Sequence, residues 1–373
     1  MSLYQTILDE TAPEGMRLTS IELADRNTVW QLDGSAGFAV KVTRGRAAIF
    51  KCEKAAALTV EALRECCAPF GVGEAVECDE TQYILAVGLL DDTELMVVGA
   101  DADVTASAVE FSPTSDDVRS IAGSIGDYYY GYEDRYRTVY ENGAELWESA
   151  EPNASLLQMI QERPDVFSGR IIDLGCGEGR DSLYLLSQGH DVVSVDVSHT
   201  ALARARERAA AANLDASGFV ERDIIYLRGF EENSFDLAMN MGCLHMLVDD
   251  EQRGRHISRV FDILRPGGHF IVDHCASEWG KGFFSVPDYE DVAADFVPGK
   301  VMTRRIRVED GEKNIGLEVL PFSERSGDAL AEEIGRYGFS LVSSVHTNTE
   351  AFGSSSMLLF RKPADGAPGS PRA

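Results

Sequence analysis

The sequence has no long apolar segment. Although 44% of its 373 residues are hydrophobic, no eighteen consecutive residues are all apolar. A membrane-spanning helix needs about 20 consecutive, mostly apolar residues, so we expect no membrane span. Residues 1–10 also lack the charged-then-apolar pattern of a signal peptide. The sequence therefore predicts a cytoplasmic protein that does not act at a membrane.

Basic residues are few. The chain has 62 Asp and Glu residues against 34 Lys and Arg residues, only seven of which are Lys, and its net charge is −28. A chain of this charge repels a phosphate backbone over long range, which argues against nucleic acid as a partner. Solubility, a GC-rich genome that favours Arg over Lys, and a high-salt habitat each explain the acidic balance, and the composition leaves these open.

Cysteine is also sparse. The chain has seven cysteines, an odd number spread over a long sequence, which is not the pattern of a disulfide framework. Their spacing does not match a zinc site either, and we predict no metal. We expect most of these thiols to be buried in a reducing compartment. They are Cys52, Cys66, Cys67, Cys78, Cys176, Cys243 and Cys275.

Residues 170–179 carry the strongest signal in the chain. A short apolar run ends at Asp173, and a loop with alternating glycines at 175, 177 and 179 follows it, ahead of a helix-like segment. This order predicts a buried strand that leads into a tight turn, where the absence of Cβ atoms lets a ligand approach the backbone. In an open α/β sheet such a turn lies at the carboxyl edge of the strands, where ligands bind.

The spacing of the glycines bears on which nucleotide cofactor binds here. A dinucleotide fingerprint reads G-x-G-x-x-G, but Arg180 stands where its third glycine belongs, and Gly179 comes one residue early. Asp173 would be a poor neighbour for a pyrophosphate, whereas a cofactor with a cationic amino-acid end tolerates an acid there. The loop resembles the cofactor loop of class I S-adenosylmethionine (SAM) methyltransferases.

The segments that follow the loop support this resemblance by their order. Acids end three successive predicted strands, at Asp173, Asp196 and Asp223, and an acid about twenty residues beyond the glycines suits hydrogen bonds to ribose hydroxyls. Further strands are predicted at residues 191–196, 219–224, 234–241 and 269–274, separated by helices at 182–187, 200–212 and 250–264. The resemblance implies an α/β fold with a doubly wound, Rossmann-like sheet of seven strands.

The resemblance also implies a role for each matching residue. Asp196 with Val197 would bind the ribose of SAM, and Asp223 with Ile224 would bind the adenine. Asn240 and Met241 match the segment that runs under the methyl donor. The loop residues that would lie against the methionine part of SAM are Asp173, Gly175, Cys176, Gly177 and Gly179.

The loop region is most similar to the branch of thiopurine, thiol and tellurite-resistance methyltransferases, which carries a Trp-Glu element before its first helix. Trp147 matches that element and is a candidate wall of the SAM pocket, although it could equally be a core tryptophan. Arg137 is a candidate partner for the SAM carboxylate. The resemblance covers residues 125–275 well and residues 276–362 loosely.

The catalytic residues are the least defined part of the sequence. Methyl transfer is an in-line displacement that needs an aligned acceptor and a dry site, and it needs a base only when the nucleophile is protonated. His245 is a candidate general base, because imidazole titrates near neutral pH, or else a structural hydrogen-bonding residue. A further hypothesis is a metal site made of His245, His274 and Asp273 or a cysteine, which no short metal-binding motif supports.

The length of the chain is sufficient for two domains. Residues 1–110 lie outside the methyltransferase pattern, and we expect a small α+β domain with a hairpin over residues 27–42, a helix over 47–67, and strands at 82–87 and 94–98. Residues 111–364 would form the SAM-binding domain. Within it, a hairpin inserted at residues 300–320 would shape the acceptor pocket, and residues 365–373 would be a disordered tail.

We therefore expect a SAM-dependent methyltransferase that acts on a small molecule. The similar branch favours a soft acceptor, but sulfur, oxygen, nitrogen and carbon acceptors all remain open, as does the oligomeric state. Two alternatives are an NAD(P)-dependent oxidoreductase and a SAM-binding sensor or scaffold without turnover.

Overall fold

The computed structural model divides by packing into two compact units. The first unit consists of Met1–Gly131 with Glu221–Asp223, and the second consists of Tyr132–Val220 with Ile224–Ala373. The packing boundary after Gly131 lies inside a long helix, Pro113–Glu141, rather than at residue 110 as we expected. The structure describes residues 2–23, 25–100, 104–109, 113–145, 152–275, 297–308, 311–323, 325–349 and 353–364. The predicted tail at 365–373 lies outside these ranges.

The first unit is built mainly from strands. Its strands are β1 (Met16–Leu23), β2 (Val29–Asp33), β3 (Phe38–Arg44), β4 (Arg46–Glu53), β5 (Cys67–Gly71), β6 (Ala75–Cys78), β7 (Gln82–Gly88), β8 (Thr93–Ala100) and β9 (Thr105–Val109). Its helices are α1 (Leu3–Leu8), α2 (Val60–Cys66) and most of α3 (Pro113–Glu141). The strands form two sheets, with orders β1-β8-β3-β6 and β5-β4-β7-β2-β9. Apolar residues of both sheets share one core cluster.

The helix expected over residues 47–67 is wrong over most of its length. Residues 46–53 form β4, in which the first five side chains and Cys52 are buried. Because both faces of this strand are covered, tertiary burial outweighs the helical spacing of its apolar residues. Only Val60–Cys66 is helical, and this helix begins where the Thr59 hydroxyl accepts a hydrogen bond from the backbone N–H of Ala62 at 3.1 Å.

The hairpin expected over residues 27–42 is also wrong, because β2 and β3 belong to different sheets. β2 pairs with β7 and β9, whereas β3 pairs with β6 and β8, all of them antiparallel. The strands expected at 82–87 and 94–98 are confirmed as β7 and β8. Partners distant in sequence decide the pairing in this unit, and an alternating pattern does not specify those partners.

The remaining elements form a large mixed sheet, a smaller three-stranded sheet and several helices. The strands are β10 (Ala144–Glu145), β11 (Arg170–Leu174), β12 (Asp191–Asp196), β13 (Phe219–Glu221), β14 (Phe235–Met241), β15 (Leu264–Cys275), β16 (Val301–Val308), β17 (Gly311–Glu318), β18 (Ser340–Thr349) and β19 (Gly353–Arg361). The helices are α4 (Ala154–Glu162), α5 (Arg180–Ser187), α6 (His199–Ala211), α7 (Asp250–Ile263) and α8 (Gly327–Gly335).

The large sheet confirms the predicted architecture. Its seven strands follow the order β13-β12-β11-β14-β15-β19-β18, and β11, β12, β14 and β15 are parallel while β19 is antiparallel to its neighbours. Alternate residues of β11 enter different cores. Ile172 packs in a cluster with residues of α7 and α8, and Ile171 in a cluster with residues of α4 and α5. Helices therefore cover both faces of the sheet, and the strand order reverses between β11 and β14.

The predicted hairpin insertion is confirmed as well. β16 and β17 pair antiparallel from Val301 opposite Glu318 to Val308 opposite Gly311, and β10 joins them as a third strand.

In the described part of the chain, no helix is both long enough and apolar enough to cross a membrane.

A buried Asn–His pair fixes the backbone that follows β14. Oδ1 of Asn240 accepts hydrogen bonds from the backbone N–H groups of Cys243 and Leu244 at 3.1 and 2.7 Å. The amide nitrogen of Asn240 lies 3.3 Å from Nε2 of His256, and Nδ1 of His256 lies 2.9 Å from the carbonyl oxygen of Ile224. Since the amide donates and the carbonyl accepts, His256 carries its proton on Nδ1. Burial lowers the pKa of His256 to about 4, so it is neutral near pH 7.

Arg253 ties the same turn to two helices. The side chain is fully buried on α7, and its Nε and Nη2 form a two-pronged ion pair with the Glu333 carboxylate on α8, at 2.6 and 2.8 Å. Its Nη1 donates to the carbonyl oxygens of Leu244 and Leu247 at 2.8 and 3.0 Å. One guanidinium therefore neutralises a partly buried carboxylate and satisfies the carbonyls of the turn after β14.

We expect Arg253→Met to lower the free energy of unfolding by about 3–5 kcal/mol, because the substitution removes the buried guanidinium that pairs with Glu333 and donates to two carbonyls of the turn. Urea unfolding followed by circular dichroism measures this loss. The matched control is Arg336→Met, which removes an exposed i,i+4 pair with Glu332 whose side chains are 67% and 70% exposed and should leave the midpoint unchanged. Equal losses in the two variants would contradict the assignment.

Candidate functional site

A cavity of about 230 Å³ lies in the second unit, at the carboxyl ends of β11, β12, β14 and β15. The strand order reverses at this edge, which is where open α/β sheets bind ligands. The cavity is lined by Tyr132, Arg135, Tyr136, Asn153, Asp173, Gly175, Cys176, Gly177, Glu178, Arg180, Asp181, Asp196, Val197, Met241, Gly242, Cys243, His245, Met246, Asp273, His274, Leu320, Phe322 and Ser355.

The structure brings together part of the predicted site. The predicted residues that line the cavity are Asp173, Gly175, Cys176, Gly177, Asp196, Val197, Met241 and His245. The predicted residues that are not among its lining residues are Gly179, Asn240, Asp223, Ile224 and Arg137. Trp147 lies outside the described residues.

The glycine loop after β11 is shaped by positive backbone angles and by close neighbours. Gly175 has a φ of +80°, and a Cβ atom there would lie 2.4 Å from the Cβ of Cys243. Gly177 has a φ of +53°, and its added Cβ would lie 2.9 Å from the hydroxyl of Tyr136. Both positions therefore require glycine, and the bare backbone forms one wall of the cavity.

Asp196 ends β12 and connects it to this loop. Its Oδ2 accepts the backbone N–H of Gly177 at 2.8 Å, and its Oδ1 accepts the backbone N–H of Ser198 at 2.8 Å. Ser198 caps the following helix, because its hydroxyl oxygen accepts a hydrogen bond from the N–H of Ala201 at 3.0 Å. Burial raises the pKa of Asp196, although the backbone donors oppose the rise. Each oxygen holds one donor and can accept a second from a ligand hydroxyl.

Asp173 ends β11 in a still more enclosed position. The carboxylate is 2% exposed, accepts the hydroxyl of Ser182 at 2.6 Å, and faces the cavity. Burial raises its pKa to about 7, although the hydrogen bond from Ser182 opposes the rise. A buried carboxyl with this pKa at a cavity wall binds a cation more tightly once it has ionised.

Glu178, inside the loop, supplies a third buried acid. Its side chain is 5% exposed, and neither carboxylate oxygen has a hydrogen-bond partner among the residues that the structure describes. The guanidinium of Arg208 lies 4.0 Å from one of these oxygens. A buried carboxylate without donors is costly, so this position favours a ligand that brings donors into the cavity.

Asp223 has a different environment from the one we expected. It is 1% exposed within the first unit, its carboxylate accepts the hydroxyl of Tyr129, and Nη1 of Arg46 lies 3.9 Å away. Ile224 is 5% exposed and belongs to the core cluster on one face of the large sheet. These contacts account for both side chains without a ligand.

Arg137, the arginine that we expected at the cavity, does not line it. Arg137 pairs with Asp134 on its own helix, and its side chain is 44% exposed. Tyr132, Arg135 and Tyr136 line the cavity instead. They are spaced i, i+3 and i+4, which places them on one helical face, and Arg137 lies about 150° around the helix from the centre of that face. This spacing was the sequence signal that could have identified them.

Asn153 is a further lining residue that sequence reasoning missed. Its backbone N–H donates to Asp181 at 2.8 Å, its amide donates to Asp273 at 2.9 Å, and its Oδ1 caps the start of α4. Asp273 lies two residues before the end of β15, and burial raises its pKa to about 6. The signal was a helix-capping Asn after Glu151-Pro152, but nothing in the sequence indicates which acids it contacts.

His245 is partly buried in the turn after β14 and lies beside His274, with the two ring centroids 5.8 Å apart. Burial lowers the pKa of His245 to about 3, with His274 and Arg253 adding to the effect. The expectation that His245 titrates near neutral pH is therefore wrong, because its conjugate acid is too strong for an efficient general base. Among the described residues, no three His, Cys, Asp or Glu side chains group closely enough to hold a metal ion.

The cavity thus combines two kinds of surface. Backbone, buried acids and the arginines Arg135 and Arg180 line one part, and Met246, Leu320 and Phe322 add apolar surface. The polar part suits a nucleoside ligand that has a diol and an amino-acid end. The apolar surface leaves room for a second, less polar molecule to approach it.

Residues 171–268 match a protein-family model described as a methyltransferase domain. This segment includes the glycine loop, β12, β13, β14 and the start of β15.

Two relatives show how far the similarity extends. The chain is 28% identical over 126 residues to the 2-heptyl-1-hydroxyquinolin-4(1H)-one methyltransferase of Mycobacteroides abscessus, a match that covers 34% of this chain and 54% of that protein. It is 26% identical over 212 residues to the fatty-acid O-methyltransferase of Mycolicibacterium smegmatis, covering 56% and 68%. The chain therefore spans about half to two thirds of the length of these relatives.

Among solved structures, the chain is similar to a SAM-dependent methyltransferase from Methanosarcina mazei, with 19% identity, a TM-score of 0.43, and coverage of 58% of this chain and 100% of that one. It is also similar to the magnesium protoporphyrin IX methyltransferase of Synechocystis, with 16% identity, a TM-score of 0.43, and coverage of 64% and 99%.

Over residues 171–268 this chain is therefore similar to methyltransferase domains, and its glycine loop lies where the strand order of the seven-stranded sheet reverses.

Proposed function

We propose that this chain transfers a methyl group from SAM to a small molecule bound in the 230 Å³ cavity. The observation that carries the proposal is the meeting of the bare glycine backbone, the Asp196 carboxylate and an apolar wall in that one cavity. SAM, when bound, supplies a methyl group on a positively charged sulfur. The chain itself must hold the cofactor, orient the acceptor and keep water out.

The contacts of the described residues support a distribution of roles. Gly175, Cys176 and Gly177 would lie along the methionine part of the cofactor, and Met241 beside the methyl donor. Asp196 with Val197 would bind the ribose, because both Asp196 oxygens are held by backbone donors and keep acceptor capacity. Asp173 would face the amino group of the cofactor.

Two predicted roles change with the geometry. The adenine role of Asp223 and Ile224 has no support from the cavity, since the Asp223 carboxylate already accepts the Tyr129 hydroxyl. For the cofactor carboxylate, Arg135 replaces Arg137 as the proposed partner, because Arg135 lines the cavity. Gly179 and Asn240 would act indirectly: Gly179 begins α5 with a φ of +78°, and Asn240 fixes the turn after β14. Trp147 remains a prediction.

The proposed acceptor carries negative charge on its reactive atom near neutral pH. His245 is a poor base because burial lowers its pKa to about 3, so an acceptor that ionises by itself suits the site better than a neutral alcohol. The two relatives act, by name, on a hydroxyquinolinone with a heptyl chain and on fatty acids. Both acceptors combine an aliphatic chain with an oxygen acid. A thiolate, as the thiopurine and thiol branch suggests, meets the same requirement.

Calorimetric titration with SAM and with NADH tests the cofactor. We expect heat from SAM only, since Arg180 occupies the third glycine position of the dinucleotide fingerprint. Turnover is then measured as release of S-adenosylhomocysteine with hydroxyquinolinones, fatty acids, thiols and neutral alcohols. Activity confined to neutral alcohols would contradict the acceptor proposal. SAM binding without turnover on any acceptor of a broad panel would favour a sensor.

We expect Asp196→Ala to weaken SAM binding by about 1–3 kcal/mol, or roughly 5- to 150-fold, because the ribose hydroxyls lose an ionised acceptor. Calorimetry on the folded variant measures the change. The matched control is Asp191→Ala at the other end of β12, where the side chain is 71% exposed and 3.8 Å from Arg170. Equal affinities for the Asp196 variant and the wild type would remove Asp196 from the site.

The raised pKa of Asp173 predicts that SAM binding depends on pH. Its pKa in the folded protein is raised to about 7, so below that pH the group must lose a proton before it can pair with the cofactor amino group. We expect the dissociation constant for SAM to rise by up to about tenfold per pH unit as pH falls from about 7 to about 5.5. Asp173→Asn should make this dependence shallower, leaving the part due to Asp273, whose pKa burial raises to about 6, and should also weaken binding near pH 7.5.

The raised pKa of Asp173 also predicts how the stability of the protein without SAM depends on pH. A folded-state pKa raised above the unfolded value of 3.8 stabilises the fold at low pH, and this contribution is lost as pH rises from about 4 through about 7. Without SAM, Asp173→Asn should therefore stabilise the protein relative to the wild type by about 1–4 kcal/mol at pH 8 and by less at pH 5. Thermal unfolding at both pH values measures the difference. A variant less stable than wild type at pH 8 would contradict it.

A further inference from the structure

Two cysteine thiols meet in the first unit, outside the candidate site, and a third cysteine follows one of them in the chain. Cys52 lies near the end of β4, Cys66 is the last residue of α2, and Cys67 is the first residue of β5. Sγ of Cys52 and Sγ of Cys66 are 3.7 Å apart, although the residues are fourteen positions apart in the chain. Cys67 is paired with Phe50 across the β4–β5 ladder. The fold therefore brings two thiols into van der Waals contact at the junction of three elements.

The two thiols differ in exposure. Cys52 is 3% exposed, whereas Cys66 and Cys67 are partly exposed. Sγ of Cys66 lies 3.4 Å from the carbonyl oxygen of Leu63, and Sγ of Cys52 lies 3.6 Å from that of Phe50. A reagent dissolved in water can therefore reach Cys66, whereas Cys52 is shielded from solvent.

The contact also makes the two thiols unequal in acidity. The contact with Cys52 lowers the pKa of Cys66, although burial and Glu65 oppose the shift. The same contact, together with burial, raises the pKa of Cys52. Cys66 therefore loses its proton first, and the thiolate is the reactive form of a cysteine.

A disulfide between these residues needs only a small movement. The sulfur atoms must approach by about 1.7 Å, from 3.7 Å to a bond length near 2.05 Å. A change of χ1 rotamer moves a cysteine sulfur by more than this. Metal binding is the competing use of clustered thiols, but in the ranges that the structure describes no group of three ligating side chains is placed to hold a metal.

We propose that Cys66 and Cys52 form a modification site, at which a hydroperoxide oxidises Cys66 and Cys52 then closes a disulfide. In the first step the Cys66 thiolate attacks one peroxide oxygen, the O–O bond breaks, and hydroxide leaves, giving a sulfenic acid. In the second step the Cys52 sulfur attacks the Cys66 sulfur, the S–O bond breaks, and water leaves with the thiol proton. The two thiols give up two electrons in total, and the peroxide accepts them. Thiol reductants reverse the reaction.

The test uses the full chain treated with hydrogen peroxide, alkylated under denaturing conditions and analysed by mass spectrometry. We expect the number of free thiols to fall from seven to five, and digestion to yield one cross-linked peptide that joins Cys52 to Cys66. Dithiothreitol should restore all seven. At limiting iodoacetamide and neutral pH, Cys66 should react about tenfold faster than Cys78, which is buried and whose pKa burial raises to about 12.

Two variants and a matched control separate the roles. In Cys52→Ser the cross-link should be absent, and dimedone should trap a sulfenic acid at Cys66. In Cys66→Ser neither the cross-link nor a dimedone adduct in this cluster should form. Cys78→Ser should behave like the wild type. Seven free thiols after peroxide treatment, or a cross-link from Cys66 to any residue other than Cys52, would overturn the proposal.

Discussion

The hydrogen bond from the backbone N–H of Gly177 to the carboxylate of Asp196 is the contact on which the candidate site depends. It joins the glycine loop after β11 to the end of β12, so that the loop backbone and the Asp196 carboxylate occupy one wall. A buried carboxylate is stable only when donors surround it, and a second backbone donor at Ser198 meets this need. Glu133 accepts the hydroxyls of Ser198 and Thr200, which fixes the start of α6 and therefore the position of the acid.

The cavity is arranged for a ligand at some cost to stability. Burial raises the pKa of Asp173 to about 7 and that of Asp273 to about 6, and Glu178 makes no hydrogen bond within the described residues. A fold selected only for stability would not concentrate partly unsatisfied acids in this way, because each of them is more stable in water. By contrast, Arg253 and His256 just behind the cavity are fully buried with their polar atoms engaged. The residues that hold the neighbouring backbone in place are therefore different from the buried acids that line the cavity at a cost to stability.

More elements were predicted correctly in the second unit than in the first, and the reason is physical. In the second unit β11, β12 and β14 are each followed by a helix, and strand and helix periodicities are local properties. β12 and the β16–β17 hairpin were both predicted. In the first unit β2 and β3 join different sheets, and residues 46–53 form a strand buried on both faces. Pairing between strands that are distant in sequence leaves no local pattern, so a hairpin and a helix were predicted there wrongly.

The sequence by itself determined the glycine loop, the acids that end β11 and β12, and the fold class, because these depend on spacing along one chain segment. Only the tertiary structure decided that Arg135 rather than Arg137 lines the cavity, that Asp223 bonds to Tyr129, and that desolvation lowers the pKa of His245 to about 3. It also decided that Cys52 and Cys66 touch. Exposure, pKa and contact arise from neighbours contributed by distant segments, and the order of residues in one segment does not contain that information.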